Sequence, residues 1–293
     1  MYVICVASFL RGHLCGAMQN MCILAPHEEA TRHDCRTWKG SDRTYCMPKR
    51  PRMDLTAPLW WHVDETEWYE STLKHWTTAV SSESDDGVLG GFGSIDAVDV
   101  EGSLKFLAEW HGDGTVLPRP GMCALDCGAG IGRVSEGVLL KVFEKVQLVE
   151  VSSTLLERAK ERLGASYAPG RCEFVAASLR EFEPAAGSID VAWVQWILGH
   201  LTDNDVLRLL QRCRAALRPG GAVIVKENNA VPSACEHRGI YTLDEPNANV
   251  VRSHAHHLTL FKLAGLKVVR FQVQEGFPDE LHAVRMYLLV PAC

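Results

Sequence analysis

The residues best spaced for chemistry are Leu125-Asp126-Cys127-Gly128-Ala129-Gly130-Ile131-Gly132-Arg133. They fall between an apolar strand (Cys123 to Asp126) and a helical pattern from about Arg133 to Phe143. Glycines there let the backbone approach a ligand and leave the first N–H groups of the helix open. The spacing is Gly-x-Gly-x-Gly, not the Gly-x-Gly-x-x-Gly of dinucleotide folds. Asp126, ahead of the glycines, would repel a pyrophosphate but can pair with an ammonium. Glu150 closes the next strand, 22 residues beyond Gly128, about the separation that suits a ribose hydroxyl pair. Together these features point to an adenosine ligand that carries an amino acid instead of phosphates, S-adenosylmethionine. The competing reading is a purely structural strand-to-helix turn.

The elements that must position these residues alternate. Strand-like segments at Cys123–Asp126, Val146–Val151, Glu173–Ala176, Ile189–Val194 and Ala222–Lys226 are separated by helical patterns, among them Thr154–Leu163 and Asp203–Leu217. Arg218-Pro219-Gly220-Gly221 is a stop signal for the second of these helices. This rhythm predicts an α/β fold with a doubly wound, mostly parallel sheet. Leu266–Gln274 and Ala283–Val290, joined by Gly-Phe-Pro-Asp, predict a closing antiparallel hairpin. Upstream, Trp60, Trp61, Trp68, Tyr69 and Trp76 crowd into seventeen residues. They read either as one aromatic helix face packed on a core or as a lid over a pocket. Gly87 to Gly93 is a bent, glycine-rich loop.

Composition removes several function classes. Hydrophobic residues are 47% of the 293, too many for a largely disordered chain. No apolar run reaches the roughly 18 residues that span a bilayer, and a net charge of −6 argues against a general nucleic-acid binder. Eleven cysteines, odd in number and without framework spacing, fit a reducing compartment. His27, His33, Cys35 and Cys46 lack the close pairs of a zinc finger, so no metal is expected. Residues 1–53 are expected to be a poorly ordered extension. Met1 to Leu10 followed by Arg11 loosely suggests a targeting peptide without a clean cleavage site. Pro48-Lys49-Arg50-Pro51-Arg52 reads as a solvated linker or a nuclear import signal, and a third reading starts the protein at Met53. The expected location is cytoplasm and nucleus.

Leu125–Arg133, Trp193-Val194-Gln195-Trp196-Ile197-Leu198-Gly199-His200-Leu201-Thr202-Asp203 and Lys226-Glu227-Asn228-Asn229-Ala230 closely resemble the protein α-N-terminal methyltransferases. That family sits within the class I S-adenosylmethionine-dependent methyltransferases. The resemblance runs from about Trp68 to Val290, takes in Leu89–Gly93 and Pro278-Asp279-Glu280, and leaves residues 1–67 uncovered. Gln-Trp-Ile-Leu-Gly-His is specific to the family, whereas the glycine loop is shared by many methyltransferases. The resemblance implies a seven-stranded Rossmann-like domain over 54–293: an N-terminal helical lid and Gly-rich loop (54–110), then the core (111–293). It implies methylation of the free α-amine of proteins that begin Xaa-Pro-Lys or Xaa-Pro-Arg, with no nucleic-acid or membrane partner. Oligomeric state is not legible.

Carried over by motif, Gly128, Gly130 and Arg133 hold the methionine end of S-adenosylmethionine and Glu150 the ribose, with Val151 and Ser152 beside it. Leu179 and Arg180 flank the adenine, and Gln195 contacts the methionine portion. Trp76, Leu89, Ile95, Trp196, Asn228 and His200 build the peptide pocket, with Asp244 and His282 also at the substrate. The reaction needs an amine with a free lone pair; an α-amine, with a pKa of about 7.7–8.0, supplies one far more readily than a lysine at about 10.4. His200 is the expected base, Asn228 the carbonyl that orients the amine, and Trp196 the surface for the second-position proline. A helix-cap histidine bonded to Asp203 or backbone is the competing reading of His200.

Three departures stand out. Asn247 occupies the position of a family Asp that shares the base role, so either Asp244 or Glu245 moves in or His200 works largely alone. Glu150 replaces the usual Asp, and His75 and His282 replace usual tyrosines. Asp244, Glu245, Asp279 and Glu280 read as receivers of a cationic third residue or as solvated surface. The alternatives are a small-molecule N- or O-methyltransferase on the same fold and a catalytically impaired relative that binds termini.

Overall fold

The computed structural model describes residues 63–79, 84–111, 119–164, 167–231, 240–244 and 248–292, with 35–40 and 43–48 as paired backbone. β1 (Cys35–Gly40) and β2 (Arg43–Pro48) pair antiparallel within the segment expected to be a poorly ordered extension. They belong to a compact unit separate from the one that holds the rest of the fold. Met1 to Arg11, His27, His33, Lys49 to Met53, Trp60, Trp61, Glu245 and Asn247 lie outside the described residues.

Helix α1 (Glu65–Lys74), the single turn α2 (Asp85–Val88) and α3 (Asp96–His111) precede β3 (Arg119–Cys127). A π-turn over Ser135–Leu139 and α4 (Leu140–Val142) lead to β4 (Phe143–Glu150), α5 (Ser153–Gly164) and β5 (Cys172–Ala176). Next come β6 (Ile189–Gln195), α6 (Asp203–Ala216), β7 (Leu217–Asn229) and the short antiparallel pair β8 (Tyr241–Asp244) and β9 (Asn249–Arg252). The described elements end with α7 (His254–Leu263), β10 (Leu266–Val273) and β11 (Ala283–Pro291).

Seven strands form one sheet in the order β10-β11-β7-β6-β3-β4-β5. Pairing is parallel from β5 to β7, and β11 runs antiparallel to both of its neighbours. The chain winds outward in both directions from β3 and β6. A crevice therefore opens at the carboxyl ends of these two strands, where such sheets bind ligands.

Parallel strands covered on both faces must be apolar on both, and β6 meets that demand. Val191 and Trp193 enter a core with Phe106, Leu107, Leu139 and Leu163, while Ala192 and Val194 enter another with Val206, Leu210, Leu260 and Phe261. α6 supplies part of the second core through Val206, Leu209, Leu210, Cys213 and Ala216, a helical stripe with its polar face outward. The Thr202 hydroxyl accepts from the Asp205 N–H at 3.2 Å, capping α6 and so setting where the preceding turn must lie.

Two expectations change in detail. The helix expected from Arg133 is a π-turn followed by one short turn, and fully buried Phe143 already belongs to β4. α3 packs here against Gly137, where a Cβ would lie 2.8 Å from Val100 Cγ2. The stop signal ends α6 at Ala216, yet Arg218 to Gly221 already belong to β7. α7 and the β8–β9 pair have no counterpart in the sequence reading, and α3 falls in the helical region expected over 54–110 without having been bounded there.

Candidate functional site

A cavity of about 270 Å³ opens at the crevice. Its floor is the glycine loop, where Gly128, Gly130 and Gly132 take φ of 74°, 54° and 78°, a region that glycine enters without a Cβ penalty. The N–H groups of Gly128 and Ala129 both donate to the Val149 carbonyl, at 2.9 and 3.0 Å, fastening the loop to β4. At Gly130 an added Cβ would meet no protein atom within 4 Å, so the space above the loop is open to a ligand. Glu150 ends β4 at the cavity wall, its carboxylate accepting from the N–H groups of Gly130 (3.0 Å) and Ser152 (2.8 Å). Burial raises its pKa against those bonds.

The opposite wall depends on a buried ion network. Arg133 NH1 meets Asp96 at 2.7 Å and Asp99 at 2.9 Å. Asp99 also meets Lys226 Nζ at 2.5 Å and accepts from Gln195 Nε2 at 3.0 and 3.1 Å. Asp99 and Lys226 are fully buried. Burial works against the Asp99 charge, but Lys226 and Arg133 outweigh it and hold the carboxyl below its ordinary range. Gln195 and Lys226 are register partners across β6 and β7, so both side chains reach the same face and the same carboxylate. The Trp193 indole donates to Gln195 Oε1 at 2.9 Å, which sets the amide orientation. Arg133 also lines the cavity, its guanidinium 5.6 Å from the centroid of the Trp196 ring.

His200 stands on a short turn, Leu198–His200, between β6 and α6. Its Nδ1 lies 3.0 Å from the Ala248 carbonyl, which only accepts, so Nδ1 carries the hydrogen and Nε2 keeps a lone pair. Burial pushes its pKa down to about 4, against the opposing effect of that bond. The base expected near working pH is therefore a neutral acceptor: the same type of residue, with its acid–base behaviour changed by loss of solvent. Of the competing reading, the backbone half is what the ring does, through Ala248, whereas the Asp203 carboxylate meets His256 and Arg252. His75 lies 6.3 Å from the His200 ring centroid and Trp76 5.5 Å, edge-on. Burial also lowers His75 and His282, and the Asp244 charge acts in the opposite sense on all three histidines.

Helix α1 forms one side of the cavity. Tyr69 donates to Asp205 at 2.6 Å and its ring stacks under Arg180 at 3.9 Å, while Thr72, Leu73 and Trp76 face the cavity. Trp196 lines the cavity with φ of 51°, a conformation costly for a side chain of this size. Four polar atoms of this region are buried without a hydrogen-bond partner: His75 Nε2, Trp196 Nε1, Asn228 Oδ1 and His282 Nδ1. Buried polar atoms are normally paired, so these four are open to a partner, and of their residues Trp196 is the one that lines the cavity.

Of the anticipated residues, Trp76, Gly128, Gly130, Arg133, Glu150, Val151, Leu179, Arg180, Gln195, Trp196 and His200 share the cavity wall. Ser152 does not; it is buried and turns its hydroxyl to the Leu155 N–H. Leu89 and Ile95 pack with Leu281, Phe277 and Trp196 as a buried cluster behind the wall, because no polar neighbour offsets their burial drive. Asn228, Asp244 and His282 lie outside the cavity lining. Asp126 is buried and accepts from the Ser135 hydroxyl at 2.7 Å. Burial lifts its pKa to about 6, and it faces no ligand space, so the ammonium pairing expected of it does not hold. No cluster of metal-ligating side chains occurs among the described residues. Nor is any helix among them long and apolar enough to cross a membrane.

Residues 64–290 match the model of a family described as AdoMet dependent proline di-methyltransferase. The chain belongs to that family. An Arabidopsis thaliana protein named alpha N-terminal protein methyltransferase 1 is 38% identical over 230 residues, covering 77% of this chain and 80% of that one. A Danio rerio protein named N-terminal Xaa-Pro-Lys N-methyltransferase 1 is 37% identical over 227 residues, covering 77% and 96%. A solved SAM-dependent methyltransferase from Leishmania major superimposes with a TM-score of 0.65 at 30% identity, over 90% of this chain and all of that one. The protein is thus an S-adenosylmethionine-dependent methyltransferase, and its cavity fits the cofactor. The space above Gly130 is open, the Glu150 carboxylate would suit a ribose, the Arg133 guanidinium a carboxylate, and apolar Leu155 and Leu179 an adenine.

Methyltransferase activity therefore depends on the loop's left-handed turn. At Gly128 a Cβ would combine a φ of 74° with a 2.9 Å approach to Ile197 Cγ1. Gly128→Ala is expected to weaken cofactor binding about tenfold, the equivalent of about 1.4 kcal/mol of strain. Titration calorimetry with S-adenosylhomocysteine checks this, and an unchanged affinity would remove the loop from the cofactor site.

Residues the sequence reading passed over are Asp99, Trp68's partner role, Glu227 and Arg252. Lys226 did leave a signal: a charge directly after Ala-Val-Ile-Val in a strand that must be buried demands a partner. Nothing local announced that the partner is Asp99.

Proposed function

We propose that the protein methylates the free α-amino group of polypeptides that begin Xaa-Pro-Lys or Xaa-Pro-Arg. The observation that carries the chemistry is the fixed tautomer of His200, a neutral ring whose Nε2 lone pair belongs to the same cavity as the glycine loop. The names of the Arabidopsis and zebrafish relatives support the substrate class.

When bound, the cofactor supplies a sulfonium methyl group for in-line displacement. The chain's own residues orient the amine. His200 Nε2, in the cavity wall, accepts one amine N–H, and Asn228 Oδ1, buried and unpartnered though outside the lining as it stands, is the acceptor offered to another. The nitrogen lone pair is then directed away from both acceptors, toward the cofactor half of the cavity, and positioning of this kind lowers the barrier. Trp196 offers its ring to the second-position proline. Asp244, whose charge acts on all three histidines, is the anion offered to the substrate's cationic third residue. With His200 at about 4, the amine enters as its free base and no protein group stores its proton beforehand.

The pH dependence follows with a definite sign. A group at about 4 is already neutral at pH 6 and draws no limb in the neutral range. The substrate's α-amine, at about 7.7–8.0, does. Turnover per unit enzyme at low peptide concentration is expected to rise about tenfold from pH 6 to pH 7 and to level off above about pH 8. A flat profile over that range would show that the ammonium form is bound and deprotonated in the site.

The direct test is mass spectrometry of a Ser-Pro-Lys peptide incubated with the protein and S-adenosylmethionine, beside its N-acetylated copy. Methyl additions on the free peptide alone support the proposal; methylation of the acetylated copy, or of neither while cofactor binds, overturns it.

A further inference from the structure

We propose that Trp68 is a positioning residue for His200, so that the placement of the acceptor nitrogen depends on the docking of helix α1. The proposal rests on His200 meeting the substrate amine, as above.

His200 ends a single 3₁₀ turn held by two backbone bonds of its own, at 3.1 and 3.2 Å, so most of what fixes its geometry comes from outside. Three elements provide it. From β7, Glu227 accepts the Leu198 N–H at 2.9 Å and the N–H of Asn228 at 3.2 Å, tying the turn to the strand that carries Asn228. From β9, Arg252 donates to the carbonyls of Leu198 and Leu201 at 2.6 and 2.7 Å, with its Nε on Asp203 at 2.7 Å. The carbonyl of His200 itself falls between those two, and it accepts from Trp68 Nε1 at 2.9 Å.

The indole does more than complete the frame. It packs in one buried cluster with Tyr241, Val250 and Ala248. Ala248 is the residue whose carbonyl fixes the His200 tautomer, and it holds a φ of 44°, which alanine adopts only when its surroundings impose it. One side chain therefore contacts both ends of the imidazole's support: the backbone it hangs from and the neighbour of its Nδ1. Glu227 and Arg252 belong to the sheet and the short pair beside it. Trp68 belongs to α1, whose next residue, Tyr69, stacks on Arg180 at the other end of the cavity. Helix α1 thus reaches the acceptor nitrogen and the cofactor end through adjacent residues.

The test is Trp68→Phe in the full chain, which keeps an aromatic ring against Ala248 and deletes the N–H. The expected result is a fall in kcat of about fivefold, the worth of one hydrogen bond, with cofactor affinity and thermal midpoint near those of the parent. Made in a His200→Ala background, the same change is expected to leave kcat as it was, because residues that act through one another are not additive. An unchanged kcat in Trp68→Phe overturns the proposal. So does a parallel loss of cofactor affinity and thermal midpoint, which would make Trp68 structural only, and so does a full fivefold loss on top of His200→Ala. If His200→Ala itself keeps parental activity, the reading of the site fails first and is recognised separately.

Discussion

His200→Ala is expected to lower kcat about a hundredfold, the cost typical of losing a group that aligns the reacting atoms. Cofactor affinity is expected to stay within about twofold, since deleting the ring removes contacts from the peptide end of the cavity while the glycine loop, Glu150 and Gln195 keep theirs. The ring is buried and neutral, so its loss leaves no unpaired charge, only the Ala248 carbonyl without a donor. His200→Gln separates alignment from basicity. A glutamine retains an acceptor but no basic nitrogen, and partial recovery over alanine would show that accepting a hydrogen bond is the larger share. Single-turnover rates with a Ser-Pro-Lys peptide give the comparison directly. Parental activity in His200→Ala would end the assignment.

The second large effect is on stability. Asp99→Ala removes the carboxylate shared by Lys226, Arg133 and Gln195. Arg133 keeps Asp96, but Lys226 is left fully buried with only neutral partners: the Asp99 carbonyl, Ser103 and Gln274, at 2.8–3.0 Å. Breaking a buried ion pair from one side costs about 3–5 kcal/mol, which for a domain of this size lowers the thermal midpoint by about 10 °C. Cofactor affinity should fall as well, because Gln195 and Arg133 lose the anchor that orients them. Adding Lys226→Met to Asp99→Ala should recover part of the midpoint, since two apolar side chains demand no solvation. Thermal unfolding of the three variants decides it. A midpoint within 2 °C of the parent for Asp99→Ala, a shift of under about 1 kcal/mol, would mean that Lys226 sheds its proton instead.

The parts of this molecule that could be read from sequence are those whose cause is local. The alternation of strand and helix, the glycine loop and the acidic end of the following strand depend on near neighbours, and they fall where the pattern put them. The parts that could not be read depend on contacts between distant segments. Asp99 sits in a helix without a clear apolar stripe, and its partner Lys226 lies more than a hundred residues away. The helix expected at Arg133 becomes a π-turn at the place where Val100 of α3, from before β3, comes close to Gly137. His200 was identifiable by type and motif, but its weak basicity comes from burial under Trp76, His75 and the β8–β9 pair, which no spacing reports. Leu89 and Ile95 show the same limit from the other side: apolar residues of a pocket motif read alike whether they face the ligand or back the wall.

The placement of β11 has a consequence for how the protein is made. This strand lies between β7 and β10, so the sheet cannot be completed in the order in which the ribosome delivers it. Until translation has passed Pro291, β7 presents an open edge and β10 has no partner to lie against. The nascent chain must hold Val223, Val225 and their neighbours in waiting, and chaperone binding during synthesis would concentrate on that edge. A stop codon at residue 283 would therefore take out an inner strand of the sheet, leaving a product unable to complete its fold and not a trimmed enzyme.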